Sequence, residues 1–154
     1  MSDIIKKSNN LPDDVYIETI DRQYADSIFL QTNIVPTITP LTREGDIDIE
    51  SIPKYLTHLY TLGVKAILVM GLTGEFNRLD NLKRIQAIKV FTENNQKRFC
   101  LFVNATGDTE DETIANVRTI EKYNIDGLVL APLYYLNNST EIIPHLQKLK
   151  VYGL

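Results

Sequence analysis

Residues 64–103, VKAILVMGLTGEFNRLDNLKRIQAIKVFTENNQKRFCLFV, contain two apolar runs with a polar, helix-like stretch between them. The runs at 64–70 and 99–103 are continuous rather than alternating, which is typical of strands in a parallel sheet covered on both faces. Asp80 can cap the intervening helix by accepting a hydrogen bond from its first turn. The inward-facing residues of that helix are predicted to be Leu82, Ile85, Ile88 and Phe91. The stretch therefore predicts one strand–helix–strand unit.

The same order continues on both sides of this unit. Apolar runs at 28–38 and 127–131 predict two further strands. A helix follows the first of these and ends at Gly63; its inward residues are predicted to be Ile52, Tyr55, Leu56, Leu59 and Leu62. Another helix begins with Thr109 and Glu112 as a capping box; its inward residues are predicted to be Ile114, Val117 and Ile120.

A last helix is predicted to begin near Ser139 or Thr140, with Pro144 near its first turn. Strand and helix then alternate four times, which indicates an α/β fold with right-handed crossovers. The alternation occupies residues 27–154, and the polar, weakly periodic residues 1–26 are expected to form an N-terminal extension.

Composition and charge exclude several classes of function. The formal net charge is -4 and the pI about 5.2, so nucleic acid is not an expected partner. No apolar run reaches the roughly 20 residues of a membrane helix, and the N-terminus lacks the apolar core of a signal peptide. We therefore expect a cytoplasmic protein without a membrane partner.

Neither a metal nor a cofactor is expected from the motifs. Cys100 is the single cysteine and lies within an apolar run, where a core role is commoner than a nucleophilic one. His58 and His145 lie far apart on predicted helices, and no Cys/His spacing suits a metal. The segment GLTGE at 71–75 matches neither the dinucleotide nor the Walker pattern.

The strand-to-helix turns of a parallel sheet meet at one end, where ligands of α/β proteins bind. At this end, the hydroxyl of Thr73 and the backbone amides of residues 71–74 can hold a small carboxylate. The alternative is that the glycines only form the turn. For Glu75, pairing with a neighbouring turn or helix start is favoured over a role as catalytic acid or base. Tyr134 or Tyr135 can donate a proton or merely cover the sheet end.

Two stretches, VPTITPLTREGDIDIESI at 35–52 and LGVKAILVMGLTGEF at 62–76, resemble the opening of the dihydrodipicolinate synthase/N-acetylneuraminate lyase family. VNATGDTEDETIANVRTIEKYNIDGLVLAPLYY at 103–135 resembles its next two units. The resemblance implies a (β/α)₈ TIM barrel, of which residues 27–154 would be the N-terminal half, about four units of eight. It also implies a lyase or aldolase acting on pyruvate or another 2-oxo acid through a lysine Schiff base, usually as an oligomer.

By this resemblance, Gly71, Leu72, Thr73 and Gly74 form the substrate-binding turn, where Thr73 and nearby amides bind the pyruvyl carboxylate. Tyr134 is matched to a catalytic tyrosine that reaches a neighbouring subunit in the proton relay. Leu72 departs from the family, which has Thr or Ser in the relay, and leucine cannot pass a proton. No residue of this chain is matched to the imine-forming lysine of the sixth strand or to the tyrosine of the Y-N-x-P motif.

Three interpretations remain open from the sequence. The chain is a partial or truncated member of this lyase family, inactive alone; or it is a non-catalytic 2-oxo-acid-binding or assembly module that pairs with a second half-barrel. The third is an unrelated flavodoxin-like domain. The second substrate of an aldol reaction is not indicated.

Overall fold

The computed structural model describes residues 33–131 and Pro144, and the strands and helices of this part lie in the unit Ile34–Leu154. Four strands and three helices alternate, with one short 3-10 helix, Phe76–Arg78, before the second helix. The strands are β1 (Ile34–Pro36), β2 (Ala66–Val69), β3 (Cys100–Asn104) and β4 (Gly127–Val129). The helices are α1 (Ser51–Thr61), α2 (Asn81–Asn95) and α3 (Glu110–Ile120). Pro144 is helical, and the rest of the predicted last helix lies outside the described residues.

The four strands are parallel and stand in the order β1-β2-β3-β4. Consecutive right-handed crossovers without a reversal place every helix on the same face of the sheet. A flavodoxin-like sheet has the order 2-1-3-4-5, so that interpretation is wrong. The alternation of strand and helix is confirmed, and its uninterrupted order is the one found in a (β/α) barrel.

The core lies between the sheet and the three helices. Ile67, Val69, Leu101 and Val103 are fully buried and pack in one cluster with residues of α1, α2 and α3. On the other face Leu68, Cys100 and Phe102 are half-buried, whereas Ala66 is fully buried. The three described helices therefore cover one face of the sheet, and coverage of the other face stays a prediction.

Local capping starts the helices as the sequence predicts. Asp80 accepts a hydrogen bond from the backbone N–H of Lys83 at 2.9 Å. Thr109 likewise accepts from the N–H of Glu112 at 3.2 Å. The Glu112 carboxylate accepts in return from the N–H of Asp108 at 2.8 Å, one residue before the expected partner. Both predicted N-termini are confirmed.

The boundaries of α1 depend on residues outside it. Asp48 accepts hydrogen bonds from the Ser51 backbone N–H and hydroxyl at 3.0 and 2.6 Å, and these bonds lower the pKa of the Asp48 carboxyl. Gly63 follows the helix with a φ of 79°, which glycine adopts without strain. Leu62 was predicted to face inward, but it lies past the last helical residue and is 66% exposed.

The buried face of α2 differs from the predicted one. Leu82 is 85% exposed and Ile85 is half-buried, whereas Ile88 and Phe91 are buried as predicted. The helix is rotated so that its buried residues are Arg84, Ala87, Ile88, Val90, Phe91 and Asn95. Leu82 was therefore misassigned because Arg84, a charged residue, occupies the first turn of the inner face. On α3, Val117 and Ile120 are buried and Ile114 is half-buried.

No helix within the described residues is long and apolar enough to cross a bilayer.

Candidate functional site

The turn after β2 is built by two short backbone hydrogen bonds. The N–H of Gly74 donates to the Gly71 carbonyl at 3.0 Å, and the N–H of Glu75 donates to the Leu72 carbonyl at 2.9 Å. Within residues 33–131, the N–H groups of Leu72 and Thr73 and the Thr73 hydroxyl make no hydrogen bond. Both residues are exposed. The turn therefore presents three free donors to solvent at the carboxyl end of β2.

The loop after β1 supports one side of this turn. The Thr39 hydroxyl donates to the Gly74 carbonyl at 2.8 Å. Gly74 is buried, and a Cβ added to it would lie 3.1 Å from both the Thr37 carbonyl oxygen and the Thr39 Oγ1. Thr37 itself is fixed to β2, because its N–H and its hydroxyl donate to the Leu68 carbonyl at 2.9 and 3.2 Å. Glycine at 74 thus allows the two loops to approach.

A buried polar network supports the other side. The Asn104 Nδ2 donates to the Met70 carbonyl at 2.8 Å, directly before the turn. The Asn104 Oδ1 accepts from the Thr106 N–H at 3.1 Å and from its hydroxyl at 2.7 Å. The N–H of Ala131 donates to the Thr106 Oγ1 at 2.7 Å. These bonds connect the ends of β2, β3 and β4. Asn104 was not predicted from the sequence, although a polar residue that ends an apolar run was a usable signal.

Arg84 is a second residue that was not predicted from the sequence. It is 4% exposed, and its guanidinium donates to the Leu79 carbonyl at 2.8 Å and to the Asp108 carboxylate at 2.9 Å. The same group lies 5.6 Å from the centre of the Phe76 ring, a cation–π arrangement. Arg84 therefore joins the segment after the turn to the loop that follows β3.

The structure brings the predicted binding residues together. Residues 71–74 form one turn, with Gly71 and Gly74 buried and Leu72 and Thr73 exposed. Leu72 is 68% exposed and has no group that transfers protons. Glu75 is exposed and pairs with Arg78 at 3.3 Å, as its favoured structural interpretation predicts. Tyr134, the predicted catalytic residue, lies outside the described residues and stays a prediction.

The other chemically active groups lie away from this turn. Cys100 is half-buried at the start of β3, and burial, with a smaller contribution from the Asp126 charge, raises the pKa of its thiol. His58 is exposed near the end of α1, whereas His145 lies outside the described residues. Among the residues that the structure describes, no group of three His, Cys, Asp or Glu side chains could hold a metal ion.

An open groove of about 350 Å³ lies beside the segment that follows the turn; it is lined by Leu41, Gly45, Glu75, Arg78, Leu79, Asp80 and Lys83. Its charged side chains are already engaged. Glu75 pairs with Arg78, Lys83 pairs with Asp46 at 3.0 Å, and Asp80 caps α2. The free donors of the turn are therefore the better candidate for binding an anion.

Comparison with known proteins gives one consistent result. The model of the dihydrodipicolinate synthetase family matches residues 30–150. The chain is 31% identical over 109 residues to the 4-hydroxy-tetrahydrodipicolinate synthase of Syntrophotalea carbinolica, covering 71% of this chain and 37% of the relative. It is 25% identical over 104 residues to a probable 5-dehydro-4-deoxyglucarate dehydratase of Oceanobacillus iheyensis, covering 68% of this chain and 33% of the relative.

Solved structures give the same picture of the fold. YagE, a prophage protein from E. coli K12 solved with pyruvate, aligns with a TM-score of 0.74 at 23% identity over 82% of this chain and 42% of its own. The N-acetylneuraminate lyase of Proteus mirabilis aligns with a TM-score of 0.71 at 17% identity over 79% of this chain and 42% of its own. The described sheet is thus part of a TIM barrel. The chain spans about two-fifths of the length of these proteins.

Proposed function

The chain belongs to the dihydrodipicolinate synthetase family, and from that premise we propose that its turn 71–74 binds the carboxylate of a 2-oxo acid such as pyruvate. The observation that carries the proposal is the set of free donors: the N–H groups of Leu72 and Thr73 and the Thr73 hydroxyl. A carboxylate accepts strong, charge-assisted hydrogen bonds from such groups. The pyruvate bound to the related YagE supports this ligand class.

The position of the turn agrees with this ligand. Ligands of (β/α) barrels bind at the carboxyl ends of the strands, and the turn directly follows β2. Thr39 on one side and Asn104 on the other hold its backbone, so the donors are ordered before a ligand arrives. Such preorganisation strengthens binding, because less conformational freedom is lost.

We propose that the reaction served by this site is lysine-imine chemistry on the 2-oxo acid, carried out in the cytoplasm by an oligomeric lyase. An iminium at the carbonyl carbon withdraws electrons from the neighbouring C–C bond, so that this bond forms or breaks readily. Residues 71–74 would hold the carboxylate and thereby orient the carbonyl carbon. The imine-forming lysine is not matched within this chain, and Tyr134 is the proposed member of the proton relay.

A second candidate function is a non-catalytic module that binds 2-oxo acids and pairs with a second half-barrel. Two observations favour it. Leu72 replaces the hydroxyl residue of the family's relay. The sheet face opposite the described helices carries Ile34, which is 41% exposed, and half-buried Leu68 and Phe102. An apolar face of this kind is normally covered by other protein.

Replacing Thr73 by valine should weaken pyruvate binding about tenfold, because one hydrogen bond to a charged group is lost without a large change in shape. Thr73→Ser, which keeps the hydroxyl, should bind within about threefold of the unaltered chain. Isothermal titration with pyruvate measures both. Thr61→Val is the matched control, since the Thr61 hydroxyl donates to the His58 carbonyl on distant α1. Equal binding by Thr73→Val and the unaltered chain would refute the carboxylate site.

Borohydride reduction in the presence of pyruvate tests whether this chain alone carries out imine chemistry. We expect pyruvate to bind without a covalent adduct on this chain alone, because no lysine here matches the imine-forming residue. Mass spectrometry of the reduced protein measures the adduct. A pyruvyl-lysine adduct would contradict this expectation and would place the catalytic lysine in this chain. Binding without an adduct is expected for both candidate functions, so it would support the carboxylate site itself.

A further inference from the structure

We propose that Asn104 is a positioning residue for the anion-binding turn, which it controls through the backbone of Met70. The inference rests on the proposed function, since it explains how the donors of that site are aimed. Asn104 does not touch the ligand in this proposal: it is 5% exposed, and its oxygen and nitrogen are both engaged with protein groups.

Met70 has an unusual backbone conformation. Its φ is 60°, in the left-handed region, and its side chain is 1% exposed. A residue with a Cβ adopts this region at an energetic disadvantage, so the surrounding structure must hold it there. Met70 is the last residue before Gly71, and its conformation sets the direction in which the chain enters the turn. The N–H groups of Leu72 and Thr73 therefore depend on Met70 for their orientation.

The Asn104 side chain supplies the restraint. Its Nδ2 donates to the Met70 carbonyl at 2.8 Å, across 34 positions of the sequence. A rotation that exchanged the oxygen and nitrogen of this amide would break two hydrogen bonds, because the Oδ1 accepts from both the N–H and the hydroxyl of Thr106. Thr106 in turn accepts from the N–H of Ala131. The donor that faces Met70 is thus fixed by a buried network, in which each lost bond is expensive.

The opposite end of the sheet contains a natural control. Asn95 is also 5% exposed, and its side chain makes the same two kinds of bond, donating to the Phe99 carbonyl at 3.0 Å and accepting from the Phe99 N–H at 3.1 Å. It lies at the end of α2, before β3, away from the turn. Loss of either asparagine removes a buried amide, but only Asn104 contacts the strand end next to the turn.

The experiment compares Asn104→Ala with Asn95→Ala in the full chain. Both should lower the midpoint of thermal unfolding, whereas only Asn104→Ala should weaken pyruvate binding, by about tenfold. Adding Met70→Gly to Asn104→Ala should restore binding to within about threefold of Met70→Gly alone, because glycine needs no restraint to adopt the left-handed region. A purely structural role would not produce this rescue. Asn104→Ser, too short to reach the Met70 carbonyl, replaces the alanine variant if that does not fold.

Amide NMR shifts of Leu72 and Thr73 provide a readout that does not need a ligand. They should change in Asn104→Ala and stay unchanged in Asn95→Ala. Equal loss of binding in both variants, or unchanged Leu72 and Thr73 shifts in Asn104→Ala, would overturn the positioning role. If the unaltered chain does not bind pyruvate, the proposed function fails, and the amide shifts alone then decide whether Asn104 positions the turn.

Discussion

Replacing Phe91 by alanine should lower the free energy of unfolding by about 3–5 kcal/mol. Phe91 is 0% exposed and packs from α2 into the cluster that covers the sheet. Its removal loses the transfer free energy of a whole ring, and the surrounding helices and strands can fill the resulting cavity only in part. Urea unfolding followed by circular dichroism measures the change, provided that the slope with denaturant stays constant.

Leu82→Ala is the matched control for Phe91, on the same helix. Leu82 is 85% exposed, so its removal should change the free energy of unfolding by no more than about 0.5 kcal/mol. The pair also tests the rotation of α2, because the hydrophobic pattern alone assigns both residues to one inward stripe. A loss at Leu82 as large as the loss at Phe91 would contradict the rotation that the structure shows.

Replacing Gly107 by valine should lower the free energy of unfolding by about 3 kcal/mol, at the upper end of the range for overpacked sites. Gly107 is buried, and a Cβ there would lie 2.7 Å from the Glu112 Cβ and 2.7 Å from the Thr113 backbone nitrogen. The Gly107 N–H also donates to the Thr113 Oγ1 at 2.9 Å. Because the clash is with helix backbone, α3 itself must move away from the loop.

Gly45→Ala separates this steric effect from backbone strain. Gly45 has a φ of 84°, but nothing lies within 4 Å of an added Cβ. Its replacement should lower the free energy of unfolding by only about 1–2 kcal/mol, the strain of the left-handed conformation. Chemical denaturation of the two variants side by side measures the difference. A Gly107→Val loss no greater than the Gly45→Ala loss would mean that the close approach of Gly107 to α3 relaxes easily.

The elements that the sequence predicts correctly depend on nearby residues. Asp80 and Lys83, or Thr109 and Glu112, are three positions apart, so a cap is readable from the chain alone. The strands are also predictable from adjacent residues, since each is a short apolar run that ends in a turn. Which face of the sheet the helices cover could not be predicted from the sequence, because it depends on the strand order that the crossovers produce.

Arg84 illustrates why the face of α2 could not be predicted. A charged residue is normally assigned to solvent, and its burial here depends on Asp108, 24 positions away, and on the Phe76 ring. Such partners come together only in the folded chain. Burial of a charge is tolerated when it is paired and hydrogen-bonded. The spacing of hydrophobic residues in the sequence does not show whether such partners will be present.

The candidate site was predictable in part for the same reason. The glycines and Thr73 of the turn are adjacent in sequence, and the family resemblance assigns them a ligand. The polar residue at the end of an apolar run marks Asn104, but its bond to Met70 was not predictable, because it exists only once the ends of β2 and β3 are neighbours. Tyr134 and the boundary between residues 26 and 27 involve residues outside the described part, and they stay predictions.

The network of Asn104 also has a consequence for protein engineering. A designer who transplants the segment 71–74 into another barrel would carry over its glycines and its threonine but not its geometry. Met70, Asn104 and Thr106 follow or end two separate strands, and together they hold the backbone that enters the segment. These three positions must therefore be transferred with the loop as one set, and a change at any one of them restricts the residues that the other two accept.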